Sequence, residues 1–93
     1  MPRKALRARK RLKELMLFIM SRVGQCEIVK LQMLCYFADM EAYRKLGKPI
    51  TGVRYVAREE GPRPDGFWDI LAGLVRSKTL SIVPKAAPPA DGV

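Results

Sequence analysis

The chain has 93 residues, a net charge of +9 and no histidine, and 48% of its residues are apolar. This length supports one domain with one small core, and the apolar content is that of a folded protein. The apolar run at residues 15–20 is much shorter than the roughly 20 residues that cross a bilayer, and no cleavage site follows it. We therefore expect a cytoplasmic protein without membrane contact.

The positive charge is concentrated at the N-terminus. The first thirteen residues carry seven bases and no acid, whereas the other eighty carry eleven bases and nine acids. Such a segment suits nucleic acid or an acidic protein surface, although a solvated helix start that aids solubility fits equally well. Residues 1–13 are thus interpreted as a basic arm. Its candidates for nucleic-acid binding are Arg3, Lys4, Arg7, Arg9, Lys10, Arg11 and Lys13.

Two helices are expected in the first half of the chain. Residues 6–23 contain no Gly or Pro, and Gly24 ends this first helix. Its apolar residues recur at helical spacing on one face: Leu12, Leu15, Met16, Ile19 and Val23. A second helix starts near Glu27 and is apolar around most of its circumference, which is typical of a central helix. Gly47 caps it, and Pro49 prevents its continuation.

The second half combines short strands with a third helix. Residues 53–58 have strand character, residues 61–66 form a rigid Gly-Pro turn, and residues 67–77 have helical apolar spacing. Residues 80–83 are predicted to pair with the first strand, and residues 84–93 to form a Pro-rich flexible tail. The predicted fold is mainly α (α+β), a compact three-helix module with a two-stranded β element. Its order is helix, helix, strand, helix, strand, within a single domain at residues 14–83.

The candidate chemical groups do not form a catalytic set. Cys26 and Cys35 lie nine residues apart in a chain without histidine, which is not a zinc-ligand pattern. Asp39 lies in the most apolar helix without a second acid or a base on the same side. We expect it to accept hydrogen bonds from backbone N–H groups of residues 48–52 or from the Tyr55 hydroxyl. The sequence therefore predicts no enzyme, no metal and no cofactor.

An aromatic residue on the third helix is the best candidate for a protein contact. Trp68 lies off the apolar face of that helix, and a large exposed aromatic side chain is a good interface anchor. Tyr36 and Phe37, by contrast, lie among apolar neighbours and are expected in the core. Arginines on the outer side of the first strand and in its turn could surround the tryptophan. The predicted protein-binding patch consists of Arg54, Arg58, Arg63 and Trp68.

The segment from residue 30 to residue 64 resembles a known family. It reads K-L-Q-M-L-C-Y-F-A-D-M, then L-G-K-P-I-T-G, then Y-V-A-R-E-E-G-P-R-P. This order of motifs is similar to that of the Panacea domain family of SocA-like antitoxins, which includes phage-associated GepA-like proteins, over about residues 28–83. The matching positions are mainly structural. They are Leu31, Leu34, Tyr36, Ala38, Asp39, Gly47, Pro49, Ile50, Thr51, Gly52, Tyr55, Ala57, Gly61, Pro62 and Pro64.

The resemblance implies a module that neutralises a cognate toxin by binding it. Some members of the family deliver a toxin to a protease, so a protease is a further expected partner. The alternative hypothesis is a winged-helix-like nucleic-acid-binding regulator of phage or plasmid origin, suggested by the basic arm and the order of elements. It ranks second because the third helix offers only Asp69 and Arg76 as base-reading residues.

Self-association is a further expectation. A two-stranded element is marginal by itself, and an exposed apolar strand edge invites pairing with another chain. We expect a twofold dimer or completion of the fold by a partner. The surfaces involved would be Met33, Phe37 and Met40 of the second helix or the strand edge at residues 80–83.

Overall fold

The computed structural model describes residues 2–82, which form three helices and a two-stranded antiparallel sheet. Helix α1 spans Arg3–Val23, α2 spans Ile28–Leu46 and α3 spans Phe67–Arg76. Strand β1 is Tyr55–Val56 and strand β2 is Arg63–Pro64. The predicted fold class, mainly helical with a small β element, is confirmed.

One apolar core lies between the three helices. Its buried members are Leu12, Leu15, Met16 and Ile19 from α1, Leu31 and Cys35 from α2, and Phe67, Leu71 and Leu74 from α3. Full burial of a Leu or Phe side chain is worth about 1.5–3 kcal/mol, so this cluster fixes the arrangement of the helices. The stripe predicted for α1 is its buried face, except at Val23, which is exposed.

Glycines and charged side chains determine where the helices begin and end. Gly47, which has a left-handed conformation, donates its N–H to the Tyr43 carbonyl at 2.9 Å and ends α2. In the last turn of α2, Arg44 and Lys45 form ion pairs with Glu41 at 2.7 and 3.3 Å. Helix α1 begins at residue 3 rather than residue 6, so most of the predicted arm is helical. Its Arg, Lys, Ala and Leu residues are strong helix formers, which accounts for the earlier start.

The second strand lies earlier in the chain than predicted. Strand β1 is shorter than residues 53–58 and pairs locally with β2, Tyr55 opposite Pro64 and Val56 opposite Arg63. Two backbone hydrogen bonds between Arg58 and Gly61, of 3.0 and 3.2 Å, close this hairpin. Gly61 has φ 122°, a conformation that favours glycine. The hairpin thus gives β1 a partner before the chain reaches α3.

Residues 80–82 form no strand, contrary to the prediction. The N–H groups of Thr79 and Leu80 donate to the Leu74 carbonyl at 2.9 and 3.1 Å, which folds this segment back on the end of α3. Residue 83 and the predicted tail at residues 84–93 lie outside the described residues. Within residues 2–82, the strand that would follow the third helix of a winged helix-turn-helix is therefore lacking.

Among the described residues, no helix combines the length and the apolar character needed to cross a membrane.

Candidate functional site

A buried polar cluster centred on Asp39 joins α2 to the link and the hairpin that follow it. The Asp39 carboxylate accepts hydrogen bonds from the Thr51 N–H at 2.9 Å, the Thr51 hydroxyl at 2.5 Å and the Tyr55 hydroxyl at 2.6 Å. Asp39 and Thr51 are almost completely buried. The link amide and the Tyr55 hydroxyl are the two donor types that the sequence indicated. A buried carboxylate needs such donors, so the cluster fixes the path of the chain after α2.

Burial and the Asp39 carboxylate keep the Tyr55 hydroxyl and the Cys35 thiol protonated. Burial, the hydrogen bond to Asp39 and the charge of Asp39 raise the pKa of Tyr55 far above its ordinary value. Burial, and next the charge of Asp39, raise the pKa of the Cys35 thiol to about 12. Because the thiolate is the reactive form of cysteine, Cys35 at neutral pH is a packing residue rather than a nucleophile.

The family-motif glycines and prolines shape the link and the hairpin. Gly47, Gly52 and Gly61 have φ values of 78°, 79° and 122°, which L side chains rarely adopt. Pro64 is buried, and Pro49 and Pro62 are half-buried. These residues therefore set the path of the chain through the link and the hairpin.

Arg63 and Trp68 are in contact on the surface formed by the hairpin and the start of α3. The guanidinium carbon of Arg63 lies 5.6 Å from the centre of the Trp68 ring. The ring also packs edge-on against Phe67, with centroids 5.6 Å apart. Glu60 forms a 2.7 Å ion pair with Arg63, and Trp68 nevertheless remains 46% exposed. The structure therefore presents an exposed tryptophan whose position is fixed by its neighbours.

The other two arginines of the predicted patch differ in their placement. Arg58 lines a surface cleft of about 500 Å³ together with Ala57, Glu59, Glu60 and Arg63. Arg54 precedes β1, and its carbonyl accepts a 2.7 Å hydrogen bond from the Asp65 N–H. Within residues 2–82, the Arg54 side chain makes no cation–π contact with Trp68. The structure thus places Arg58 beside Arg63 in this cleft and Arg63 against Trp68, and the Arg54 residue is exposed.

The seven bases of the predicted arm divide into distinct environments on α1. Arg9 faces α3, where its guanidinium lies 3.4 Å from the Asp65 carboxylate and 3.7 Å from that of Asp69. Lys4, Arg7 and Arg11 line a cleft with Ala8, Thr51 and Gly52. Arg3, Lys10 and Lys13 are exposed. Arg9 is therefore a fold contact, unlike the other six.

Helix α2 carries an exposed apolar stripe that the sequence interpretation did not identify in full. Val29, Phe37, Met40 and Tyr43 are 38–59% exposed, and at about 100° per residue they fall on one side of the helix. The prediction that Phe37 is a core residue was wrong, because α2 turns its Asp39 side inward. Tyr36 is half-buried and packs edge-on against the Tyr55 ring, centroids 5.2 Å apart. The stripe is a second surface suited to protein contact.

A second exposed aromatic–arginine pair lies on α1. Phe18 is 56% exposed, and the guanidinium carbon of Arg22 lies 5.2 Å from its ring centre. The i, i+4 spacing of an aromatic residue and an arginine was the signal for this pair. It has the same chemistry as the Arg63–Trp68 contact but lies on a different element.

The helix–link–hairpin–helix unit that carries the Asp39 cluster and the Arg63–Trp68 contact is a Panacea domain. The family model described as "Antitoxin SocA-like, Panacea domain" matches residues 31–83, which are 53 of the 93 residues. This range includes most of α2, the link, the hairpin and α3. The chain therefore belongs to the Panacea domain family of SocA-like antitoxins. No curated protein and no solved structure gives a significant match to it.

Proposed function

We propose that this protein is an antitoxin that neutralises a cognate toxin in the cytoplasm by stoichiometric binding rather than by catalysis. Membership of the SocA-like antitoxin family carries the proposal. The Asp39 cluster supports it, because its polar groups are engaged with one another in holding the link and the hairpin. The activity is then a property of the exposed surface.

The proposed toxin-binding surface is the patch formed by Arg58, Arg63 and Trp68, with Arg54 at its edge. Exposed Trp and Arg side chains are enriched among the residues that dominate binding energy. Because Phe67, Arg63 and Glu60 hold this patch in place, little side-chain freedom remains to be lost when a partner binds. The arginines would meet acidic or carbonyl groups of the toxin around a pocket that receives the indole ring.

Delivery of the toxin to a protease, as some members of the family perform, is proposed as an extension of this function. An adaptor needs a second surface while the first holds the toxin. The apolar stripe of α2 is the candidate for that surface, since Phe37 and Met40 are exposed on it. The same stripe is the candidate surface for the homodimer predicted from the sequence.

The winged-helix regulator is the weaker alternative. This hypothesis required a strand after the third helix, whereas both strands of the described residues precede α3. The basic residues of α1 form a separate surface, which does not require a winged helix.

The proposed function is tested by co-expressing the product of the adjacent reading frame with this chain. The antitoxin proposal predicts that the neighbour alone stops growth, that this protein restores it, and that the two co-purify in a fixed ratio. A harmless neighbour that forms no complex with this chain would contradict it.

A further inference from the structure

A basic cleft lies between α1 and the link that follows α2. It has a volume of about 360 Å³ and is lined by Lys4, Arg7, Ala8 and Arg11 of α1 and by Thr51 and Gly52 of the link. This volume is within the common range for ligand sites. The Asp39 cluster holds Thr51 through its N–H and its hydroxyl, so the link wall of the cleft is fixed.

The cations of this cleft have no acidic partner within residues 2–82. Arg9 forms ion pairs with Asp65 and Asp69, and none of the ion pairs within residues 2–82 involves Lys4, Arg7 or Arg11. The first turn of α1 contains no acid, so the charge of Lys4 adds to the positive end of the helix dipole. Arg7 and Arg11 are also like charges one turn apart, which repel each other. A bound anion would relieve all three unfavourable contributions.

Two more bases extend the cleft into a track. At about 100° per residue, Arg3 and Lys10 lie on the same side of α1 as Lys4, Arg7 and Arg11. The track from residue 3 to residue 11 is about 12 Å long at the helical rise of about 1.5 Å per residue. Successive phosphates of one DNA strand rise about 3.4 Å each along the duplex axis, so the track matches three to four of them.

We propose that this track binds the phosphate backbone of a nucleic acid, with Lys4, Arg7 and Arg11 as the central contacts. The choice between nucleic acid and an acidic protein rests on the composition of the cleft. Three of its six lining residues are bases and none is an acid, and the five bases of the track lie within nine residues of α1. Nucleic-acid interfaces are more polar and more basic than protein interfaces. Binding by the track depends on phosphate charge rather than on base sequence, and it is independent of the proposed toxin binding at Trp68.

The test measures the fluorescence anisotropy of labelled 20-nucleotide single strands and duplexes over a range of salt concentrations. If the track neutralises four phosphates, log affinity for duplex falls with log salt with a slope of about −3.6. The triple variant Lys4→Gln, Arg7→Gln, Arg11→Gln retains two contacts, and its slope is expected to be about −1.8. At about 100 mM salt this variant should bind at least tenfold more weakly than the wild type.

The matched control removes three exposed bases outside the cleft: Lys30→Gln, Lys45→Gln and Lys78→Gln. It has the same net charge as the cleft variant, and it should keep the wild-type slope and lose less than threefold in affinity. Circular dichroism melts of both variants show whether each is folded. If the cleft variant is unfolded, the single change Arg7→Gln replaces it, with an expected change in slope of about 0.9.

Several outcomes would overturn the proposal. Equal losses in the two triple variants would assign the binding to net charge rather than to the cleft. Absence of binding near 50 mM salt would remove the proposal entirely. Binding of polyglutamate but not of nucleic acid, with the same dependence on the cleft residues, would assign the track to an acidic protein. Binding of inorganic pyrophosphate more tightly than of either oligonucleotide would assign it to a small phosphate ligand.

Discussion

The side chain of Arg9 occupies the space that a β-carbon at Gly66 would need. A β-carbon built on Gly66 lies 2.6 Å from the Arg9 Nε, and Gly66 has φ 85°. The contact joins α1 to the start of α3, and Arg9 also forms an ion pair with Asp65, just before α3. Gly66 is thus required both by its backbone conformation and by the close approach of an arginine.

Gly66→Ala is therefore expected to destabilise the protein. The left-handed conformation alone costs a residue with a β-carbon about 1–2 kcal/mol, and displacement of Arg9 adds to this. Urea unfolding measures the change. The control is Gly73→Ala in α3, where a β-carbon meets no atom within 4 Å and the change should stabilise by about 0.5–1 kcal/mol. Equal effects at the two positions would contradict the packing described for Arg9.

Tyr55→Phe is expected to lower the free energy of unfolding by about 1–3 kcal/mol. The change removes the hydroxyl that donates to the buried Asp39 carboxylate at 2.6 Å and leaves that oxygen with one donor fewer. Tyr43→Phe is the matched control, because Tyr43 is 59% exposed and should tolerate the loss of its hydroxyl. Chemical denaturation of both variants measures the difference. Indistinguishable stabilities would show that the cluster does not depend on Tyr55.

Alkaline pH should destabilise the fold through Cys35. The pKa of this thiol is raised from 9.0 to about 12, so above pH 9 the unfolded chain releases a proton that the folded chain retains. The free energy of unfolding then falls by about 1.4 kcal/mol per pH unit from this group alone, up to about pH 12. The measurement is the free energy of unfolding between pH 9 and 11, and its slope against pH is compared between the wild type and Cys35→Ala. A slope that is the same in both would contradict the burial of an unionised thiol.

Self-association should involve the α2 stripe and should increase with salt. Each chain carries a net charge of +9, so like-charge repulsion opposes a dimer until salt screens it, whereas apolar contacts persist. Phe37→Ser should lower the dimer fraction measured by light scattering over a concentration series. Leu6→Ser, at an exposed leucine of α1, should not. A monomer at high micromolar concentration and at every salt concentration would contradict the dimer prediction.

The sequence predicted those parts of the fold that depend on local pattern. Helical spacing located the buried face of α1, and Gly47 located the end of α2, because both signals act within a few residues. Strand pairing depends instead on which partner is close. The sequence favoured residues 80–83 because three of them are apolar and two, Ile82 and Val83, are β-branched. The turn between Arg58 and Gly61 instead brings Arg63–Pro64 next to β1.

The sequence predicted an exposed surface residue only where that residue lies off a clear apolar stripe of its helix. Trp68 lies off a clear apolar stripe, and the structure leaves it exposed. Phe37 lies on a helix that is apolar on most sides, so periodicity could not tell its inner face from its outer face. The role of Arg9 was equally hidden, because its partners Asp65 and Asp69 lie 56 and 60 residues away and only the folded chain brings them together.

The most direct test of the proposed function is the affinity of this protein for its toxin when the Arg63–Trp68 pair is removed. Calorimetric titration measures the toxin affinity of two double variants. One carries Arg63→Ala and Trp68→Ala, and the other carries Phe18→Ala and Arg22→Ala. The two variants remove exposed cation–π pairs of the same kind, at 5.6 and 5.2 Å. We expect at least a hundredfold loss of affinity for the first variant, about 3 kcal/mol, and less than a threefold loss for the second. Unchanged affinity in a folded Arg63–Trp68 variant would show that the toxin binds elsewhere.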